Sequence, residues 1–565
     1  MKVENIFWES TKTSVSINPY KLKEFLQSEG FGLFLMDKNR TSKKILFMND
    51  NGTLKIYNPV ETKRFVREIL ESITDDDFEP LYVEEGVSRD ELLKGWSKYH
   101  PSRLNAEVLD DLEIYSEHDL DWTNDLQLFT DDQHSSYVRF RNGVVKITKD
   151  KIELLDPSHE SVKGNVWESS IIERDINIKK PDGLFTKFVE KAVLVRDRNI
   201  TNNDWTKEYP STYETKLSLD ALRSSIGYLI HSHNTPDKMR AIFFIDKGSD
   251  LQKPEGGNGK TLILKSLKHF KKLSVQDGKR FRKDMDGGGR FQFADVNLDT
   301  KLILIDDLRP DFDFEGLFSM ITGDMEIEGK GTNKFTIPEE RKPKFGITTN
   351  YVLMGTGTSV SRRMHIVEFG DYWNRCINEN EQPSDEKHLG RMLFDDFEQD
   401  DWDDFYNFGF ECVKDYLTKG LVQADTSDYF LKALRLKVEG VSGDGTITGW
   451  MNDWIVNKRE EISEDDLYNL FQDELTVESY SWDKKMFHKG FFTFVMEHPD
   501  YDYNGQLSYK GDNKSDRRFL VGKKGEQKPH IIVSVKDDDG TSNSPSPSVE
   551  PEIDYFSRLD TSKVA

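Results

Sequence analysis

Apolar and polar positions change their period several times along the chain, and each change marks an element. Between Glu4 and Ile73 the alternating runs GFGLFLMD, KKILFMND and GTLKIYN predict strands, and VETKRFVREILESI after Asn58-Pro59 predicts a helix. These make a small N-terminal α/β unit, residues 1–75, closed by Asp75-Asp76-Asp77. Residues 76–183 alternate short helical and strand patterns, and Asn142-Gly143 between YVRFR and VVKIT is a hairpin signal. From 184 to 238, FTKFVEKAVLV and KLSLDALRSSIGYLIHSH carry apolar residues at helical spacing and predict two helices. Residues 239–370 alternate buried strand-like runs with helices, the pattern of an α/β nucleotide-binding core. The stretch 371–460 is acidic, aromatic and helical, and reads as a solvated negative helix surface packed through its aromatics. Residues 461–536 read as a helix pair followed by short strands, and 537–565 has the Ser/Pro and acidic bias of a disordered tail.

Composition narrows the function classes. A chain of 565 residues exceeds one ordinary core. Two cysteines, Cys376 and Cys412, exclude a disulfide scaffold and offer no metal cluster, which fits a reducing cytoplasm. No signal sequence and no membrane-spanning apolar run is evident, so the expectation is a soluble protein of the host-cell cytoplasm. The formal charge of −24 argues against a general nucleic-acid coat, although the charge is unevenly placed.

The candidate chemistry starts at Pro254-Glu255-Gly256-Gly257-Asn258-Gly259-Lys260-Thr261. Strand-like AIFFID precedes it and helix-like LILKSLKHF follows. In a phosphate-binding loop the backbone amides cradle the phosphates, the lysine (here Lys260) reaches the β and γ oxygens, and the hydroxyl (here Thr261) binds Mg²⁺. Gly256, Gly257, Asn258 and Gly259 supply the permissive turn. Pro254 replaces the usual first glycine, so Lys247 to Glu255 must make an extra excursion. Downstream, KLILIDD ends in Asp306-Asp307; the first carboxylate suits Mg²⁺ and the second an attacking water, or the pair simply ends a strand. KFGITTN ends in Asn350, an uncharged amide suited to a γ-phosphate or an ordinary turn residue. Arg362 and Arg363 fit an arginine finger inserted into a neighbouring subunit, or a solvated surface pair.

This order of lysine loop, Asp-Asp strand, Asn strand and Arg-Arg resembles the superfamily 3 helicases, AAA+ ring ATPases of viruses, phages and plasmids. GGNGKT and SRRMHIVEF are similar to the phage and poxvirus primase-helicase type, and FRNGVVKI resembles the hairpin of the domain that precedes its ATPase. The resemblance spans roughly Leu104 to Phe369, with Pro254 and Asp307 in place of glutamate as departures. It implies an AAA+ P-loop core binding ATP and Mg²⁺ between subunits of a hexameric homo-oligomer. It also implies a hairpin, between the Asp-Asp and Asn strands, that grips single-stranded DNA. Lys330, flanked by glycines, and Lys334 are the DNA candidates there, and Lys279, Arg280, Arg282 and Lys283 add basic density.

The helices and strands of 461–536 resemble a winged helix, with Lys484, Lys485 and Lys489 on its second helix and Lys510, Lys514, Arg517, Arg518, Lys523 and Lys524 around its wing. Such a domain binds duplex DNA or docks proteins. The leading expectation is therefore an α/β protein acting as an ATP-dependent replicative DNA helicase of a phage or mobile element. The alternative is an AAA+ ATPase that remodels or packages another partner, or a slow nucleotide switch. The acidic residues before Gly183 form no spaced carboxylate set, so no priming activity is expected, and a separate primase is the expected partner where one is needed.

Overall fold

The computed structural model describes residues 7–11, 14–35, 43–72, 89–117, 120–197, 199, 205–247, 256–281, 291–309, 312, 314–329, 334–352, 360, 362–439, 445–457, 462–475, 482–498, 501–503, 519–521, 528–531 and 533–535. It is a mixed α/β structure in two compact units, Met1–Tyr351 with Ser359–Ala424, and Val352–Thr358 with Asp425–Ala565. Among the described residues no helix is long and apolar enough to cross a membrane.

The first unit opens with a six-stranded sheet built on Phe31–Leu35, Lys44–Asp50 and Thr53–Ile56. Asn51 and Gly52 form a two-residue turn with φ of 51° and 91°, the left-handed pair that matches strand twist. The second hairpin behaves differently. Ser135–Phe140 pairs with Gly143–Thr148 so that Phe140 faces Gly143, and the turn is Arg141-Asn142, one residue earlier than the Asn-Gly signal suggests. The Asn142 side chain explains the shift: its Nδ2 donates to the Ile176 carbonyl and its Oδ1 accepts from the Ile176 N–H, both at 3.0 Å.

The sheet that positions the candidate site has five parallel strands, β1 (Ala241–Asp246), β2 (Leu273–Asp277), β3 (Leu302–Asp306), β4 (Lys344–Thr348) and β5 (Met364–Phe369). Their spatial order is β2-β3-β4-β1-β5, all parallel. Every residue of β1, β4 and β5 is buried, the signature of strands covered on both faces. Part of that cover is α1 (Tyr213–Ile230), which starts where the Thr212 hydroxyl caps the Thr215 N–H. Against it lies α5 (Gln399–Lys419), opened by a Glu398/Asp401 capping box. The two helices approach so closely that a Cβ on Gly227 of α1 would sit 2.0 Å from the Cys412 carbonyl oxygen of α5.

The acidic surface expected for 371–460 is corrected at α5. Asp403 and Asp404 are buried, and they serve the segment between Asn177 and Asp182. Asp403 accepts from the Asn177 side chain at 2.7 Å, Asp404 accepts from the Asp182 N–H at 2.6 Å, and Asn407 accepts from the Lys179 N–H. Backbone donors of an irregular strap must be satisfied somewhere, and here helix carboxylates do it.

The second unit runs helix Ser427–Glu439, helix Thr446–Asn457, strand Ile462–Ser463, helix Glu464–Glu474 and helix Lys484–Glu497. Strands Phe519–Val521 and Lys528–Ile531 then join Ile462–Ser463 in an antiparallel sheet. Trp454, Phe471, Phe487, Phe491 and Phe494 fill its core.

The α1–α5 contact gives a direct expectation. Gly227→Ala places a methyl group against backbone that cannot move aside, so the first unit should lose about 1–3 kcal/mol or more in urea denaturation. An unchanged midpoint would show that the helices separate freely.

Candidate functional site

The loop after β1 returns at Gly256 and enters α2 (Lys260–Ser266). Gly257 and Gly259 hold φ of 93° and 89°, and a Cβ on Gly259 would stand 2.7 Å from the Phe188 ring. Left-handed backbone and a close wall leave glycine as the residue that fits. Pro254 and Glu255 lie outside the described residues.

Lys260 is 5 % exposed and forms an ion pair with Asp246, the last residue of β1. Asn258 Nδ2 donates to the other Asp246 oxygen at 2.7 Å. Burial lowers the Lys260 ammonium below the ordinary lysine range against the opposing pull of Asp246 and Asp307. The lysine of the loop is therefore held by its own strand, and reaching a phosphate means leaving Asp246. The loop is braced from a third side by α4 (Tyr372–Asn378): Asn374 Nδ2 donates to the Gly256 carbonyl at 2.6 Å, and its N–H donates to Asn258 Oδ1 at 3.1 Å.

The strand order brings the ends of β3 and β4 together beside this loop. Thr261 Oγ1 donates to Asp306 Oδ1 at 2.7 Å, Thr348 Oγ1 donates to the same oxygen at 2.8 Å, and Lys265 Nζ pairs with Asp306 Oδ2 at 2.8 Å. Burial works to raise the Asp306 carboxyl, and these three donors outweigh it and hold it below the usual range. Asp307 adopts φ of 59°, with its N–H donating to Thr348 Oγ1 at 2.8 Å. Its carboxylate pairs with Lys279 Nζ at 2.8 Å and accepts from Asn350 Nδ2 at 3.4 Å. Gly278 makes that approach feasible, since a Cβ there would meet the Asp306 carbonyl oxygen at 2.6 Å. Hydroxyl Thr261 and carboxylate Asp306 are hard oxygen donors already in contact, a set that fits Mg²⁺ completed by water.

Lys260, Thr261, Asp306, Asp307 and Asn350 thus share one face. Lys279, one of the residues read from sequence as basic density, pairs with Asp307. Arg280 lies near Asp277 at 3.5 Å, and Arg282 and Lys283 fall outside the described residues. Arg362 and Arg363 stand at the opposite end of the sheet. They precede β5, whose Met364 aligns with Ala241, while the loop follows Asp246. Five strand steps separate the two ends, roughly 17 Å. Arg362 is exposed; Arg363 donates through Nε to Thr322 Oγ1 at 3.0 Å and lies 4.5 Å over the Phe318 ring, both on α3 (Phe318–Thr322).

Between β3 and β4, Met325–Ile327 pairs antiparallel with Phe335–Ile337. Lys330 lies outside the described residues, and Lys334 is exposed but flanked by Glu326 and Glu328 at 3.7 and 3.8 Å. In the second unit Lys484 pairs with Asp465, while Lys485 and Lys489 are exposed on the same helix. Lys510, Lys514, Arg517, Arg518, Lys523 and Lys524 lie outside the described residues.

Sequence reasoning missed Asp246, Lys265, Thr348 and Asn374. Asp246 had a signal, a charge closing a fully apolar strand. Asn374 had none, because it is 118 residues from the Gly256 carbonyl it binds.

No family model matches the chain, and no curated protein matches it. Among solved structures, the apo A form of the NrS-1 C terminal region is similar at 11 % identity, covering 91 % of this chain and 99 % of that one, with a TM-score of 0.37. A second apo A-form structure of that region is similar at 11 % identity over 91 % and 100 %, with a TM-score of 0.33. Likenesses at these scores carry no argument about activity.

The Asp246 contact predicts the outcome of Asp246→Asn. Without its counter-charge the buried Lys260 destabilises the nucleotide-free protein, lowering its melting temperature. If the loop takes Mg-ATP, as expected from the sequence, the phosphates no longer compete with a carboxylate for Lys260, and affinity should rise about tenfold, or about 1.4 kcal/mol. Calorimetric titration checks this, and equal or weaker ATP binding would show that Asp246 does not compete.

Proposed function

We propose that the chain is an ATP-driven DNA helicase of the superfamily 3 type. The observation that carries this reading is the 2.7 Å hydrogen bond from Thr261 to Asp306, which joins the loop hydroxyl to the strand-end carboxylate beside Lys260. On this reading Lys260 exchanges Asp246 for the terminal phosphates, and Gly256 to Gly259 offer backbone to them. Thr261 and Asp306 would hold Mg²⁺, which when bound would supply charge neutralisation at the phosphoryl oxygens. Asp307 orients the attacking water, with Lys279 and Thr348 fixing its position, and Asn350 offers its amide to the γ-phosphate. Arg362, exposed and remote from its own loop, acts in the site of a neighbouring subunit of a ring, while Arg363 anchors that segment to α3.

The DNA contacts belong to the same proposal. Met325–Ile327 and Phe335–Ile337 pair on either side of the sequence interval that contains Lys330, and on this reading Lys330 contacts single-stranded DNA. The order helix, strand, helix, helix, strand pair in the second unit suits a winged helix, with exposed Lys485 and Lys489 facing duplex phosphates. A second reading, a slow nucleotide switch, is favoured by the Lys260–Asp246 pair, because a loop that must break a buried ion pair exchanges nucleotide slowly.

The decisive experiment combines turnover with strand displacement on forked DNA. Wild-type protein should show DNA-stimulated ATP hydrolysis, and Lys260→Ala should lose both activities while still folding. Turnover indifferent to DNA, with no displacement, would favour the switch. Arg362→Ala should lower turnover about 10³-fold or more. Mixed one to one, inactive Lys260→Ala and Arg362→Ala chains should regain activity at about a quarter of interfaces, since a head-to-tail ring places an intact lysine beside an intact arginine there. A mixture as inactive as its components would sink the shared site.

A further inference from the structure

The helix that braces the phosphate loop carries, at its other end, a set of side chains that the helicase reading does not use. Cys376 of α4 is fully buried, and the chain turns back beneath it, with the Glu381 N–H donating to the Cys376 carbonyl at 2.9 Å. The turn that follows brings in His388, also buried. Ligand atoms of Cys376, Glu381 and His388 all lie within 4.8 Å of one another. His388 presents Nε2 to Glu381 Oε2 at 2.8 Å and Nδ1 to the Tyr372 hydroxyl at 2.9 Å. Lys387 pairs with the other Glu381 oxygen, leaving Oε2 on the His388 side. Lys191 donates to the His388 carbonyl at 2.9 Å and so helps fix the turn.

We propose that Cys376 Sγ, Glu381 Oε2 and His388 Nε2 bind a zinc-class divalent cation, with solvent as fourth ligand, and that this ion braces α4 against the phosphate loop. The chemistry of the donors selects the metal. Thiolate with imidazole favours zinc over magnesium, unlike the all-oxygen pair Thr261 and Asp306. Tetrahedral bonds of 2.0–2.3 Å place ligand atoms roughly 3.3–3.8 Å apart, so the set closes with shifts of about 1 Å. Charge and protons balance. The thiol proton leaves to solvent, and thiolate plus carboxylate neutralise the dication. On binding, the ring proton that faces Glu381 Oε2 from Nε2 is lost there and one is held at Nδ1, from which it donates to the Tyr372 oxygen, the outer contact that fixes a metal-bound imidazole. The link to the loop is short, because Asn374, two residues before Cys376, holds Gly256 and Asn258. The site stands on its ligand geometry and is independent of whether ATP is hydrolysed.

The test is a cobalt(II) titration of the full-length protein, read by the thiolate-to-cobalt charge-transfer band in the near ultraviolet. The band should saturate at one equivalent, vanish on adding zinc, persist in excess magnesium, survive Cys412→Ser and be absent in Cys376→Ser. Tyr372→Phe should weaken binding roughly 10- to 100-fold. Zinc should raise the melting temperature of wild type and leave Cys376→Ser unmoved. Where Cys376→Ser fails to fold, Glu381→Gln, at a partly exposed position, replaces it and should lose the tight one-equivalent saturation. No band in the wild type, a band that persists in Cys376→Ser, or undiminished saturation in Glu381→Gln would overturn the site.

Discussion

A single carboxylate organises the face beside the Lys260 loop. Asp306 accepts hydrogen bonds from Thr261 on α2 and Thr348 on β4 and pairs with Lys265 one helical turn farther along α2. Charge-assisted hydrogen bonds of this kind contribute roughly 1.5–3 kcal/mol, the exposed Lys265 pair less, and together they offset the cost of partly burying the carboxylate. Three elements from distant parts of the sequence are therefore registered to one side chain. Asp307 follows in a left-handed conformation, which turns its carboxylate toward Asn350 and Lys279.

Much of this was legible in the sequence because the strands are covered on both faces. AIFFID, KLILID and KFGIT have apolar centres, and the polar residues that close such a strand in a parallel sheet emerge at the carboxyl edge where ligands bind. That logic located Asp306, Asp307 and Asn350. It did not reveal that Asp246 would engage Lys260, since a pattern of residue types carries no record of which cation a carboxylate meets. Nor could it separate Arg362 from Arg363: both are arginines in one turn, and only the neighbourhood of Thr322 and Phe318 distinguishes them. The Asn142-Gly143 signal was off by one residue because a tertiary clamp on Ile176 outweighed local turn preference.

Net charge was the least faithful guide. Several acids counted toward −24 do internal work: Asp403 and Asp404 terminate the backbone of an irregular strap, and Asp246, Asp306 and Asp307 each answer a lysine. A helix that looked like a solvated acidic face is a rack of acceptors for residues some 220 positions earlier. Composition describes what a surface could present, while folding decides how much reaches it.

The direction of the central sheet has one more consequence. All five strands point the same way, so the loop with Lys260 and the turn with Arg362 are its two poles. No hinge within a rigid, doubly covered sheet can bring its poles together. On the ring reading proposed above, Arg362 would serve the loop of a neighbouring copy rather than its own, and each copy would resemble a link of chain, with a hook at one end and an eye at the other.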